Sequence, residues 1–154
     1  LPAAGQVKYD TAGPISKGGT VEGHANYGPT VLDHYRNPRN VGDIPGTPAM
    51  AQVGDPAHGD VLRLTLRIEG ERIVEARFRS FGCTAAIAAG SIATVMVAGQ
   101  RVDEAERLTN GDVARALGGL PEAKMHCSVL AEQAIREAVR RWRAAAAPAE
   151  GACR

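Results

Sequence analysis

The stretch LRLTLRIEGERIVEARFR (62–79) decides the fold. In its first half Leu62, Leu64, Leu66 and Ile68 alternate with Arg63, Thr65 and Arg67, the period-two pattern of a strand with one buried face. Glu69-Gly70-Glu71 turns the chain, and Val74, Ala76 and Phe78 then alternate with Glu75, Arg77 and Arg79. Two strands of similar length joined by so short a turn form an antiparallel hairpin.

Downstream of the hairpin the period changes. Residues 84–98 are small-sided and helical, with Ala88, Ile92, Val95 and Met96 expected on one face. A shorter helix fits 110–117. In the last helix Ala131, Ala134, Ile135, Ala138, Val139 and Trp142 recur at steps of three and one, an apolar stripe. Its other face offers Glu132 with Arg136 and Glu137 with Arg141, both at the four-residue spacing that supports a helix. Upstream, a short helix over 30–36 must stop before Pro38. Residues 37–56 hold four prolines and three glycines and read as loop, with one short strand near 49–53. Strands followed by helices indicate an α+β domain: a small antiparallel sheet of about three strands, packed by several helices on one face and ending in a long helix.

The Gly- and Pro-rich residues 1–26 read as a flexible extension, 27–145 as the domain, and 146–154 as a fraying tail. With 44% hydrophobic and 23% charged residues the composition is that of a globular protein. Eighteen basic against 17 acidic side chains leave a charge of +1, no basis for attraction to nucleic acid or to an anionic membrane. No apolar run approaches a membrane span or a signal peptide, so a cytoplasmic location is expected. Three cysteines, an odd number, do not suggest a disulfide framework but reduced thiols.

Three short segments hold nearly all the soft and imidazole donors: GDPAHGD (54–60), FGCT (81–84) and MHCS (125–128). Each lies at the boundary of an expected element. Because antiparallel neighbours run in opposite directions, the start of the first hairpin strand and the end of the second meet in space. His58, Asp60 and Cys83 are therefore expected at one end of the sheet, and His126 and Cys127 join them if the final helix starts there. A thiol at a helix start is favoured as thiolate, which is expected for Cys83 and Cys127, with Lys124 adding positive charge. Five donors of mixed N, S and O character suit Zn²⁺, or iron in a cluster where imidazole replaces a thiolate. Taken singly, Cys83 reads equally as packing, His58 as a loop histidine and Asp60 as a turn residue. His24 and His34 have no donor neighbours and read as structural or surface residues. Cys153 reads as a tail thiol.

The segments VLDHYRNPRNVG (31–42), GDPAHGDVLRL (54–64), RFRSFGCTAAIAAGS (77–91) and LPEAKMHCSVLAEQAI (120–135) together resemble the NifU/IscU-like iron–sulfur cluster scaffold family. The resemblance runs from about Tyr27 to Trp142, and the Cys83–Cys127 separation resembles the branch without the longer insertion of SufU-like proteins. It implies a compact α+β fold that assembles a labile [2Fe–2S] cluster from iron and from the persulfide sulfur of a cysteine desulfurase, then passes it to apo recipient proteins. Zinc is the alternative occupant. It further implies that Cys83, Cys127 and Asp60 are ligands, that Cys127 accepts the persulfide, and that His126 is an auxiliary ligand. Where the family has Ala-Cys-Gly-Asp this chain has Ala57-His58-Gly59-Asp60, so an imidazole stands in the place of the first thiolate. A specialised zinc-bound sulfur relay, or a non-catalytic adaptor of the desulfurase, is thus a further expectation beside the scaffold, a non-enzymatic scaffold or sulfur acceptor being expected over an enzyme. An Hsp70-type chaperone reads a Leu-Pro-Pro-containing stretch in some members; here that stretch is LPEAK (120–124).

Overall fold

The computed structural model describes residues 27–146 apart from Pro56 and His58. The extension assigned to 1–26, His24, Cys153 and all but the first residue of the tail lie outside the described residues. The order is α1 (Pro29–Arg36), β1 (Met50–Asp55), β2 (Asp60–Glu69), β3 (Arg72–Phe81), α2 (Thr84–Val97), α3 (Val102–Glu106), α4 (Asn110–Ala116) and α5 (Met125–Ala146). The sheet is antiparallel in the order β1-β2-β3, the α+β architecture expected. Among the described residues no helix is long and apolar enough to cross a membrane.

The hairpin turn is Gly70-Glu71, with φ of 57° and 66°. Positive φ at both central residues is what a two-residue turn needs to follow the strand twist. One strand reading is corrected. Val74 is 40% exposed and Ile73 fully buried, because Arg67 pairs with Glu75 while Ile68 pairs with Ile73. The skipped Val74 is a bulge, and past a bulge the inward face changes parity.

Leu62, Leu64, Leu66, Ala76 and Phe78 line the inner face of the sheet, where α2 packs on β3 and α5 on β1 and β2. The expected single apolar face of α2 is also corrected. It is buried from Ala85 to Thr94 almost all round, whereas Val95 is exposed. The helix is sandwiched between the sheet on one side and α1 and α5 on others, so a one-sided stripe is not required of it. Gly90 is what lets it sit so low: a Cβ there would come within 2.5 Å of the Phe78 ring. On α5 the expected stripe is buried, with Trp142 partly so, and both expected ion pairs form.

Two loops finish the sheet. Residues 40–42 pair with the outer edge of β3 through Phe78 N–H to Asn40 O and Gly42 N–H to Phe78 O, both 2.9 Å. Gly99 and Gln100 pair with the same edge at Ile73. The 37–49 loop also crosses the outer face, where the Ile44 N–H donates to Thr65 Oγ1 and leaves Thr65 3% exposed, although its strand position had read as solvent-facing. Loop and α2 are tied by a polar network. Ser91 Oγ accepts the Arg39 N–H at 2.9 Å and lies 2.7 Å from Nδ1 of the buried His34. Desolvation, aided by the positive charge of Arg39 and opposed by Asp33, lowers the His34 pKa to about 4.

Candidate metal and sulfur site

The pairing that makes the hairpin also makes the site. Val61 pairs with Phe81, and Asp55 with Asp60, so the first residue of β2 lies beside the chain leaving β3. Asp60 Oδ1 there accepts the Cys83 N–H at 3.2 Å. Cys83 is the N-cap residue of α2, and its carbonyl accepts the Ala86 and Ile87 N–H groups. From the other side a short 3₁₀ turn (Glu122–Lys124) leads into α5, placing His126 and Cys127 in the first helical turn. His126 Nε2 is 2.7 Å from Asp60 Oδ2 and 3.5 Å from Cys127 Sγ. Cys127 Sγ is 3.7 Å from Cys83 Sγ.

Thus donor atoms of Asp60, His126 and Cys127 lie within 4.8 Å of one another, and Cys83 adjoins them through Cys127 Sγ and through its own N–H on Asp60. His58 lies outside the described residues. Exposure is graded across the group: His126 is open, its side chain 51% exposed, that of Asp60 16%, Cys83 half-buried and Cys127 1% exposed. A cleft of about 600 Å³ opens on the imidazole side, lined by Asp60, Lys124, His126 and Leu130 among others.

The two thiols share one proton. Cys83 is pulled down to about 6, chiefly by the hydrogen bond from Cys127, helped by the Ala86 N–H and Lys124 and opposed by burial and Asp60. The thiol of Cys127 is pushed up by that same pairing, by burial and by the neighbouring negative charges. Without a metal, then, one thiolate sits on Cys83 and Cys127 keeps its hydrogen, rather than both helix starts carrying thiolates: two anions in van der Waals contact repel more than helix termini can offset.

Tyr27 belongs to this neighbourhood. Its phenol is raised to about 12 by burial and by the charges of Cys83, Cys127 and Asp60. A tyrosine ahead of a short helix carries no spacing signal, and nothing in the sequence singled it out.

Gly82 controls access to the carboxylate. Its φ is +145°, and a Cβ there would overlap Asp60 Oδ1 and press on Ala86 Cβ at 3.2 Å. If zinc occupies this group, Gly82→Ala is expected to displace Asp60 and weaken zinc affinity by about tenfold or more with little loss of helix content. Zinc titration against a chromophoric chelator, beside circular dichroism, checks this.

The NifU-like N terminal domain family matches residues 26–148. The chain is 46% identical over 113 residues to the iron-sulfur cluster assembly scaffold protein IscU 1 of Archaeoglobus fulgidus, covering 73% of this chain and 74% of that protein. To the iron-sulfur cluster assembly scaffold protein IscU of Escherichia coli it is 45% identical over 117 residues, 73% of this chain and 91% of the relative. The crystal structure of a nitrogen-fixing NifU-like protein (N-terminal) from Brucella abortus superposes with a TM-score of 0.61 at 18% identity, over 78% of this chain and 96% of that one. With a family match spanning residues 26–148 and relatives 45–46% identical over most of the chain, the chain belongs to the NifU-like N-terminal domain family.

Proposed function

We propose that this protein is an iron–sulfur cluster assembly scaffold on which a [2Fe–2S] cluster is built and from which it is handed to apo recipient proteins. Iron and sulfur are the substrates, the sulfur arriving as persulfide from a cysteine desulfurase, with Cys127 as acceptor. The observation that carries the reading is the convergence of Asp60, His126, Cys127 and Cys83 from three chain segments at one partly open rim. His58, two residues before Asp60 in the sequence, completes the proposed set of ligands. The relatives named for scaffold function support the same reading.

A second reading, a zinc-bound persulfide acceptor, is favoured by the spacing of the donors. Two thiolates about 2.3 Å from one tetrahedral ion lie about 3.8 Å apart, and a thiolate and an imidazole nitrogen about 3.5 Å. The observed separations are 3.7 and 3.5 Å. The His126–Asp60 contact of 2.7 Å is shorter than two ligands on one ion require, so the proton between them must leave and the pair must open when metal enters.

Anaerobic reconstitution with ferrous iron, cysteine and a desulfurase separates the two: visible charge-transfer absorption appears for the scaffold, whereas one tightly held zinc and no such absorption marks the relay. His58→Cys, restoring a thiolate, is expected to slow cluster loss by about tenfold. Equal decay in both proteins removes His58 from the ligand set.

A further inference from the structure

Resting on the reading of Cys127 as sulfur acceptor, we propose that Cys83 and Cys127 act together as a dithiol that turns the delivered sulfur into sulfide, Cys83 being the resolving thiol. A persulfide has two sulfurs, and the outcome depends on which is attacked. A thiol that attacks the outer sulfur only moves the persulfide to itself. A thiol that attacks the inner sulfur, Cys127 Sγ, releases sulfide. That inner sulfur belongs to a residue 1% exposed in the unmodified chain, so once the desulfurase has withdrawn, a thiol from solution meets the outer sulfur before the inner one. Cys83 Sγ already touches it at 3.7 Å, the separation of two sulfurs in contact, from which a closing movement of under about 2 Å gives bonding distance.

The step balances within the chain. The Cys83 Sγ–Cys127 Sγ bond forms and the bond from Cys127 Sγ to the outer sulfur breaks. The outer sulfur leaves with the electron pair as hydrosulfide, its hydrogen being that of the persulfide or one taken from water, while Cys83 attacks as a thiolate and has no proton to give. The two cysteine sulfurs supply the two electrons, so sulfide for a cluster is produced without an external donor at that moment. Cys83, half-buried where Cys127 is buried, is then the sulfur of the disulfide that a dithiol reductant reaches first, and reduction restores the pair. Holding the reacting sulfurs in contact also gives Cys83 the advantage of proximity over any free thiol.

The test uses the full metal-free chain with chelator, in a Cys153→Ser background, given a cysteine desulfurase and one equivalent of cysteine with no other reductant. The two-thiol protein is expected to release one sulfide for each sulfur delivered and to lose two hydrogens in mass. Cys83→Ser and Cys83→Ala, folded by circular dichroism, are expected to retain one extra sulfur on Cys127 and release about tenfold less sulfide. If the two-thiol protein holds the extra sulfur as long as these variants do, the inference is overturned and Cys127 remains the acceptor. If no variant that keeps Cys127 gains sulfur, the acceptor reading itself fails, and this inference with it.

Discussion

Asp60→Ala is expected to lower zinc affinity by about a hundredfold, roughly 2.7 kcal/mol, the largest effect of any change at the rim short of removing a thiol. The side chain holds three parts in register. One oxygen accepts the Cys83 N–H and so places the first turn of α2; the other lies against His126 Nε2 and orients the imidazole. The carboxylate is also itself one of the donors. On the proposed metal-binding reading, its loss therefore removes a ligand and frees two others at once. Asp60→Asn separates these roles, since an amide oxygen still accepts from Cys83 but supplies no charge. It is expected to lie between the wild type and Asp60→Ala in a chelator competition. Were Asp60→Ala to bind zinc as tightly as the wild type, the carboxylate would be a backbone acceptor only.

The second large effect is a loss of stability in mild acid. His34 titrates at about 4 when folded and near its ordinary 6.5 when unfolded. Between these values the unfolded chain binds a proton that the folded chain refuses, so stability falls as pH falls through this window. The contribution is complete above pH 6.5, and the loss levels off below pH 4. A difference of this size corresponds to about 3 kcal/mol for a buried imidazole. Carboxylates held down by arginines or caps, such as Asp33, Glu75 and Asp112, act later, since their unfolded forms take up protons only near pH 4 and below. Urea unfolding at pH 7 and pH 4.5 is expected to show most of the loss in the wild type and a much shallower one in His34→Gln, whose amide can still reach Ser91. Equal slopes would place the acid sensitivity elsewhere.

His34 also marks where sequence reading stops. A single histidine on a short helix carries no sign of its partner Ser91, which is 57 residues away and inside a helix whose own pattern does not distinguish its faces. The same holds for Val74: strict alternation is a local signal, and the bulge is set by how Ile68 and Ile73 pair across the turn. The short helix α3 (Val102–Glu106) carries too few residues to show a period and went unforeseen. By contrast the hairpin and α5 were legible, because their periods run for many residues and each buries one face. At the rim, antiparallel pairing was enough to bring Asp60 to Cys83 from sequence alone. The start of α5 had to be seen, since no local rule says where a helix from another part of the chain begins. The division of charge between the two thiols was not legible either, because it arises from a contact between residues 44 positions apart.

The capped outer edge of β3 has one more consequence. With Asn40 and Gly42 on Phe78 and Gly99 and Gln100 on Ile73, that edge is engaged at two points along its length, whereas β1 closes the other side of the sheet as its terminal strand. Among the described residues, strand-to-strand pairing by a second copy is therefore obstructed along β3 and directed toward β1.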